Sequence, residues 1–343
     1  MVKMKMGMDI EWTEINEDVI RGIRLGRDES SDKRAFGHAL LIVGSKGMMG
    51  AAVLSAGAAL RSGCGLVTVH IPVGERQIVQ IANPAAIVDP DSGESFSEVP
   101  ASLHHYTSVG AGCGMGQSDA AAEALSDLFS RLSGRKADPD IQAHTRDSAR
   151  NMPGLVLDAD ALNMIAAHPG LAAAIPPGSI LTPHTRELSR LMLCLYPELD
   201  LDFAGWKYPW TGPRLDCVMA LADRLSSVIV VKGRRTLICP PDMSAYGAGS
   251  GRPVPGVSAE LSDAGLPRVR RLYVNTTGNA GMAKGGSGDV LTGLVTGLRA
   301  RGYSPLNAAV LGVWSHGRAG DEAARLRGEE SMCASDIIDN IRL

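Results

Sequence analysis

Residues Asn275–Gly293, NTTGNAGMAKGGSGDVLTG, decide the fold and point to the chemistry. The stretch holds six glycines, and a single carboxylate, Asp289, closes its glycine-rich part. Apolar residues then recur at helical spacing, which predicts a helix that begins near Asp289. A glycine-rich turn that leads into a helix exposes backbone N–H groups at the positive end of the helix dipole, where phosphate binds. The pattern predicts a phosphoryl-transfer site with a carboxylate base, and the alternative is a flexible surface loop before an ordinary N-terminal Asp.

The composition is typical of a globular protein and excludes several classes of partner. The chain has 343 residues, of which 45% are hydrophobic and 4% aromatic, and its net charge is −3. Neither the charge nor the aromatic content favours nucleic-acid binding. The six cysteines follow no metal-binding spacing, which favours free thiols in a reducing compartment. The sequence shows no signal peptide and no membrane span, so we expect a cytoplasmic protein with no membrane partner.

Strand and helix signals alternate after residue 37. The run His38–Ser45 predicts a buried strand, Ala51–Arg61 a helix of small residues, and Gly65–Pro72 a second strand. This order is a βαβ unit, and further strand-to-helix corners follow it along the chain. The sequence therefore predicts an α/β fold with a mainly parallel central sheet.

Domain boundaries follow from changes in composition. Residues 1–36 are polar and predict only a helix near Asn16–Leu25, so we interpret them as an N-terminal lead-in. Residues 37–343 are predicted to form a single domain. Within it, the stretch 242–270 is rich in Gly, Pro and Ser, which predicts a long loop insertion.

Three further corners carry polar side chains. Asp158 follows a short strand, where a carboxylate either binds Mg²⁺ or caps the next helix. His184 lies at another strand-to-helix corner, and both a structural and a functional role stay open for it. The segment Lys232–Arg235 lies between two apolar runs and predicts a hairpin or a strand edge. Its cations either clamp nucleotide phosphates or are simply solvated.

Several motifs together resemble those of the ADP-dependent NAD(P)H-hydrate dehydratases, a family of the ribokinase-like superfamily. They are GMMGAAVLSAGAALRSGCGLVTV from Gly47, TPH with Glu187, VVKG with Thr236, and the opening stretch. The resemblance covers about Gly37 to Asp321. It implies a three-layer α/β fold with helices on both faces of a mainly parallel central sheet. Many family members carry a fused N-terminal epimerase domain, for which this chain has no room, so a separate epimerase is a candidate partner.

The resemblance implies a repair reaction on hydrated NADH or NADPH. Family enzymes phosphorylate a hydroxyl of the damaged ring with ADP, or ATP in some members, and phosphate then leaves to restore NAD(P)H. Asp289 matches the catalytic base, and Mg²⁺ is expected to neutralise phosphate charge. The implied substrate-binding residues are Ala51, Gly112, His184 and Asp289. The implied nucleotide-binding residues are Lys232, Gly233, Arg234, Arg235, Thr236, Gly285, Gly286, Ser287 and Gly288. The family also implies a homo-oligomer, a tetramer.

Two departures from the family pattern leave the donor open. Thr185 and Arg186 replace a usual Pro-Gly pair, and Lys284 stands where a small Thr or Ser is common. Arg186 and Lys284 could each change the preference between ADP and ATP. Two other functions also stay open: a ribokinase-like kinase of a vitamin-precursor alcohol of the hydroxymethylpyrimidine or thiazole type, and a nucleotide-binding protein without turnover.

Overall fold

The computed structural model describes residues 9–134, 152–199, 201–242 and 269–343. Ten strands in these ranges form one sheet. The strands are β1 (Asp9–Glu14), β2 (His38–Ile42), β3 (Leu66–Pro72), β4 (Ile87–Asp91), β5 (Ser108–Ala111), β6 (Gly154–Leu157), β7 (Ile180–Leu181), β8 (Val228–Val231), β9 (Thr236–Cys239) and β10 (Val269–Asn275). Their order across the sheet is β1-β10-β9-β8-β7-β6-β5-β2-β3-β4.

Helices cover both faces of this sheet. They are α1 (Glu17–Ile23), α2 (Met49–Arg61), α3 (Arg76–Ala82), α4 (Asp119–Leu132), α5 (Ala159–Ala167), α6 (Pro169–Ala174), α7 (Thr185–Leu195), α8 (Pro213–Leu225), α9 (Ser287–Ala300), α10 (Pro305–Arg327) and α11 (Ala334–Asp339). None of the helices in the described ranges has the length and apolar character needed to cross a membrane.

The sheet is mainly parallel, as predicted. Within the described ranges only β9 runs antiparallel to its neighbours, β8 and β10. The β8–β9 pair is the hairpin that the sequence predicted around Lys232–Arg235. The predicted helix after the glycine-rich stretch is α9, and the predicted small-residue helix is α2.

Side chains alternate between the two faces of the central strands. In β6, Leu155 and Leu157 pack with the core under α4, α5, α7 and α8, whereas Val156 packs with α9 and α10 on the other face. Helix α2 lies beside α9 on that second face. Because both faces of the sheet are buried at its centre, the central strands are largely apolar. The three-layer architecture is thereby confirmed.

The N-terminal lead-in contributes an edge of the sheet. Strand β1 pairs in parallel with β10, and Ile15 and Ile20 are buried in the core beside α10. The sequence predicted the helix α1 but missed the strand before it. It also missed β4 at the opposite edge. The predicted loop insertion at 242–270 lies outside the described residues except at its ends, where Val269 already begins β10.

The parallel strands bring several loops to one edge of the sheet. Strands β2, β5, β6, β7 and β8 run in the same direction, so their carboxyl ends meet there. The loops that follow them carry most of the candidate residues. Ligands of open α/β sheets bind at this edge.

Candidate active site

The glycine-rich turn runs directly into α9. Gly286 precedes the helix with a left-handed φ of 94°, and no side chain caps this helix start. This φ strains any residue with a side chain, and a Cβ at Gly286 would also lie 2.9 Å from Ala334 Cβ, so the position favours glycine. Ser287, Gly288 and Asp289 form the first turn of α9, where backbone N–H groups have no helical partner. The local geometry therefore suits an anion.

Contacts from the surrounding helices hold this turn in place. Thr277 Oγ1 donates to the Trp314 carbonyl at 3.1 Å, and Gly278 N donates to Asp321 Oδ2 at 3.0 Å. Lys284 Nζ donates to the carbonyls of Glu330 and Met332. Lys284 thus ties the turn to the segment before α11, which explains how a long cation fits where the family has a small residue.

The Asp289 carboxyl lies partly buried in the first turn of α9. Burial raises its pKa above the usual range, and the charge of Asp158 acts in the same direction. A hydrogen bond from the Cys113 thiol and the charge of Lys232 oppose this rise in the pKa. Ser55 Oγ donates to the Asp289 carbonyl at 3.0 Å and fixes the backbone. A carboxylate with a raised pKa is a stronger base than an exposed one.

Asp158, Lys232 and Glu187 form a buried ion cluster beside Asp289. Lys232 Nζ lies 2.5 Å from Asp158 Oδ1 and 3.7 Å from Glu187 Oε2. Burial disfavours the Lys232 charge, but the two carboxylates outweigh it and raise the lysine pKa. A Cβ at Gly288 would lie 3.6 Å from both Lys232 Nζ and Asp158 Oδ2, so the cluster reaches the anion turn.

The contacts of Asp158 favour the capping alternative over a metal ligand. Its Oδ1 accepts from Ala159 N at 2.8 Å as well as from Lys232, and Thr292 Oγ1 donates to Oδ2 at 2.8 Å. Both carboxylate oxygens are therefore engaged. In the described residues no three His, Cys, Asp or Glu side chains cluster in a way that could hold a metal ion.

The hairpin that carries the predicted nucleotide-binding residues is shaped by Trp210. The Trp210 indole donates to the Arg235 carbonyl at 2.8 Å, and a Cβ at Gly233 would lie 3.6 Å from its ring. Thr236 Oγ1 donates to the Gly233 carbonyl at 3.0 Å. Arg234 and Arg235 are exposed, and the Arg235 guanidinium stacks 4.7 Å above the Tyr208 ring. Of the predicted cations, Lys232 alone faces inward.

His184 occupies the N-cap of α7. Its Nδ1 accepts from the backbone N–H groups of Arg186 and Glu187 at 3.2 and 3.1 Å, so the ring proton of the neutral form lies on Nε2. In return, His184 N donates to Glu187 Oε2 at 2.8 Å, which completes a capping box. The His184 side chain is 48% exposed at this edge, which leaves it available to a ligand.

The other two candidate substrate residues, Gly112 and Ala51, lie where the loop after β5 packs closely against its neighbours. Gly112 has a φ of 133°, and a Cβ there would lie 1.8 Å from the Asp158 carbonyl. A Cβ at Gly114 would lie 3.2 Å from Ala51 Cβ, so the β5 loop and α2 meet at Ala51. The structure therefore gathers Ala51, Gly112, His184, Lys232 and the Gly285–Asp289 turn at one edge of the sheet.

Sequence reasoning missed three residues of this site. Cys113 and Thr292 are fully buried against the Asp158 and Asp289 carboxyls, and Trp210 supports the hairpin. For Cys113, the only available signal was its place between Gly112 and Gly114. His316 on α10 lies beside the turn. Burial lowers its pKa to about 4, and its ring bonds the Ser287 backbone, so a neutral His316 supports the turn.

Known proteins of one family are similar to this chain. A family model described as NAD(P)H-hydrate dehydratase matches residues 39–254 and 268–343. The bifunctional NAD(P)H-hydrate repair enzyme Nnr of Moorella thermoacetica is 30% identical over 321 residues, 91% of this chain and 50% of that protein. The ADP-dependent (S)-NAD(P)H-hydrate dehydratase of Neisseria meningitidis is 31% identical over 299 residues, 86% of this chain and 80% of that protein.

A solved structure shares the fold. It is the ADP/ATP-dependent NAD(P)H-hydrate dehydratase of Bacillus subtilis co-crystallised with ATP and Mg²⁺, with a TM-score of 0.67, 23% identity and 95% coverage of both chains. The predicted ribokinase-like fold class is confirmed. The chain spans about half the length of the bifunctional repair enzymes that it matches. Because the family model covers most of the sequence, this chain belongs to the NAD(P)H-hydrate dehydratase family.

Proposed function

We propose that this chain catalyses the ADP-dependent dehydration of the S form of hydrated NADH and NADPH. The observation that carries the proposal is the Asp289 carboxyl, which lies between the anion turn at Gly285–Gly288 and the loop that bears Gly112. The relative from Neisseria meningitidis, whose printed name states this activity, supports the choice of donor and substrate.

Asp289 has the position and basicity for the first proton transfer. A neutral ring hydroxyl is a poor nucleophile, so its proton must leave as the new O–P bond forms. Burial raises the pKa of Asp289, which improves it as an acceptor of that proton. The bond between the transferred phosphorus and the bridging oxygen of ADP breaks in the same step, and AMP leaves.

The turn at the start of α9 stabilises the charge on the transferring group. Backbone N–H groups of Gly285–Gly288 face the site without a side-chain cap, and fixed donors of this kind need no reorganisation during the reaction. The phosphorylated hydroxyl then leaves as inorganic phosphate with the C–O bonding electrons. A neighbouring ring carbon loses a proton, and the double bond of the dihydronicotinamide is restored.

Mg²⁺ fits this site as an ion carried by the donor phosphates. Both oxygens of Asp158 already accept hydrogen bonds from protein groups. Phosphate oxygens would therefore supply most of the ligands of the magnesium ion. When bound, the ion neutralises phosphate charge. The inward-facing Lys232 and the exposed cations of the hairpin add positive charge on the same side, which supports binding of the nucleotide at Lys232–Thr236.

The proposal extends to the organisation of the protein. Residues 37–343 form one catalytic domain, and β1 with α1 completes its sheet. A homotetramer and a separate epimerase that interconverts the two hydrate forms are the proposed partners. Sedimentation velocity of the purified chain tests the tetramer, since a monomer at micromolar concentration would contradict it.

The activity is tested with hydrated NADH, Mg²⁺ and either ADP or ATP. We expect the NADH absorbance to return with one equivalent of AMP and of phosphate when ADP is the donor. Accumulation of a phosphorylated vitamin-precursor alcohol in a parallel assay would instead favour the kinase alternative. ADP binding with neither product would favour a binding protein without turnover.

The Asp289→Asn variant tests the base. We expect turnover to fall by at least about a thousandfold because no group is left to take the hydroxyl proton, while ADP still binds. Calorimetric titration with ADP and circular dichroism provide the binding and folding controls. Turnover within tenfold of the wild type would show that another group is the base.

A further inference from the structure

A buried histidine joins two carboxylates at the edge of the sheet away from β1. His70 on β3 lies with its Nδ1 2.6 Å from Asp89 Oδ2 and its Nε2 3.0 Å from Asp91 Oδ2, both on β4. The side chains of His70 and Asp91 are 2% and 1% exposed. Neither takes part in the chemistry proposed above, so their burial needs another explanation.

Asp91 organises the segment that follows it, Ser92–Glu98. Its Oδ1 accepts from Gly93 N at 2.7 Å, and its Oδ2 accepts from Ser97 N at 2.8 Å and from Glu98 N at 3.3 Å. The Ser97 hydroxyl donates to Oδ1 at 2.5 Å. The segment is therefore folded around one carboxylate. His70 also donates toward the Glu98 carbonyl, 3.0 Å from its Nε2, and so closes the segment at its far end.

The same segment lies against both loops of the substrate side. Lys46 N donates to the Glu94 carbonyl at 2.8 Å, and the Lys46 ammonium pairs with the Glu94 carboxylate. Phe96 N donates to the Met115 carbonyl at 3.1 Å. A Cβ at Gly116 would lie 2.9 Å from Ser95 Cβ, so the contact is close. The first loop leads into Ala51 on α2, and the second contains Gly112.

The charge on His70 is built into this arrangement. Burial alone would lower its pKa, but hydrogen bonds and charge from Asp89 and Asp91 outweigh burial and raise the pKa to about 9. These two carboxylates are the titratable groups that contact the ring, and Tyr106 lies beside Asp89. Since the folded pKa exceeds the ordinary value of 6.5, the stabilising charge is complete below that value and is lost as the pH rises through 9.

We propose that His70 is a positioning residue for the substrate wall of the site. Paired with Asp91, it holds Ser92–Glu98 against the Lys46 loop and the Met115–Gly116 turn, and so sets the affinity for the hydrated dinucleotide. It does not touch the donor turn at Gly285–Gly288. The inference rests on the proposed function, and it adds a specificity-determining segment that the motifs do not contain.

The His70→Gln variant tests this role, with His38→Gln as a matched control. His38 lies on the neighbouring strand β2 and bonds Thr68 rather than the segment. We expect the KM for hydrated NADH to rise about tenfold in His70→Gln, while kcat and the KM for ADP change by less than about twofold. His38→Gln should leave all three constants unchanged. An unchanged KM for hydrated NADH, or an equal rise in the KM for ADP, would overturn the proposal.

Three further measurements keep the test decisive. If His70→Gln does not fold, Asp91→Asn is expected to show the same selective rise in KM. In the wild type, the KM for hydrated NADH should rise as the pH passes through 9, and a flat profile would overturn the proposal. Amide exchange of Ser92–Glu98 should be faster in His70→Gln than in His38→Gln. If the wild type regenerates no NADH, the proposed function fails, and amide exchange alone then decides whether His70 holds the segment.

Discussion

Asp289 is subject to opposing influences that together set its basicity. Burial raises its pKa, whereas the Cys113 thiol donates a hydrogen bond that favours the ionised carboxylate. Cys113 lies between Gly112 and Gly114, both of which have left-handed φ angles, and this turn directs its side chain into the fold. The thiol therefore lowers the pKa of the proposed base and opposes the effect of its burial.

The Cys113→Ala variant should shift the acid limb of the pH profile of kcat/KM to higher pH. Removing the donor raises the pKa of Asp289 further, so the loss of kcat/KM on acidification should begin at a higher pH than in the wild type. Cys113→Ser retains a donor and should restore the wild-type limb. Steady-state rates between pH 5 and 8 provide the measurement, and the two variants behaving alike would contradict the role of the thiol.

The start of α9 after the glycine-rich stretch was predicted correctly because its signal is contiguous in the sequence. The anion turn and Asp289 lie in one short stretch, and the structure places them together at the start of α9. The ion pair of Lys232 with Asp158 joins residues that are 74 positions apart in the sequence, so no local pattern predicts it. Lys232 was therefore interpreted only as a phosphate clamp or a solvated cation, and Asp158 only as a cap or a magnesium ligand. The fold shows that each neutralises the other.

At the scale of elements, the position of Asp289 depends on how closely α9 approaches α2. A Cβ at Gly293 would lie 2.0 Å from the Ser55 carbonyl, and one at Gly297 would lie 2.0 Å from Ser62 Oγ. Glycine at these points of α9 lets the two helices pack backbone to backbone. Ser55 is also the residue whose hydroxyl holds the Asp289 carbonyl, so helix packing and active-site geometry share one contact.

The Gly293→Ala variant should push these helices apart. We expect the free energy of unfolding to fall by about 1–3 kcal/mol, as for overpacked cores, and kcat to fall because Asp289 moves with α9. Gly22→Ala in α1 is the control, since a Cβ there meets no atom within 4 Å. Denaturant unfolding checks the first effect and turnover the second. Equal unfolding free energies for both variants would contradict the close packing.

The elements that the sequence failed to predict share a physical cause. Strand β4 reads IVDPD, whose proline and two aspartates are typical of a turn. Its pairing with β3 places Asp89 opposite His70, so tertiary contacts override the local preference. Proline is tolerated because β4 is an edge strand. Strand β1 is short and mostly exposed, and it carries little hydrophobic pattern.

For the whole molecule, the N-terminal lead-in contributes to the sheet and to the core, which its polar composition did not indicate. Strand β1 covers the edge of β10, and Ile15 fills the core beside α10. The chain thus uses its first described strand to close the edge formed by a much later one. A sequence pattern cannot reveal such a pairing, because β1 and β10 are more than two hundred residues apart.

Deletion of residues 1–15 should therefore destabilise the whole fold. We expect the free energy of unfolding to fall by about 2 kcal/mol or more, the usual contribution of one buried isoleucine, and the exposed β10 edge to promote aggregation. Deletion of residues 1–8 retains β1 and serves as the control. Unfolding in denaturant and light scattering provide the readouts, and identical behaviour of the two deletions would show that β1 is dispensable.

Trp210 packs against the hairpin and so serves as an intrinsic fluorescence probe of this part of the site. Trp206 and Trp210 stack edge to face with ring centroids 4.7 Å apart, and they are two of the four tryptophans in the chain. The other two, Trp12 and Trp314, lie on β1 and α10. Indole emission responds to nearby charge, so a nucleotide that settles on Lys232–Thr236 will change the intrinsic fluorescence without any added label. Donor binding can therefore be timed in a stopped-flow instrument separately from the return of NADH.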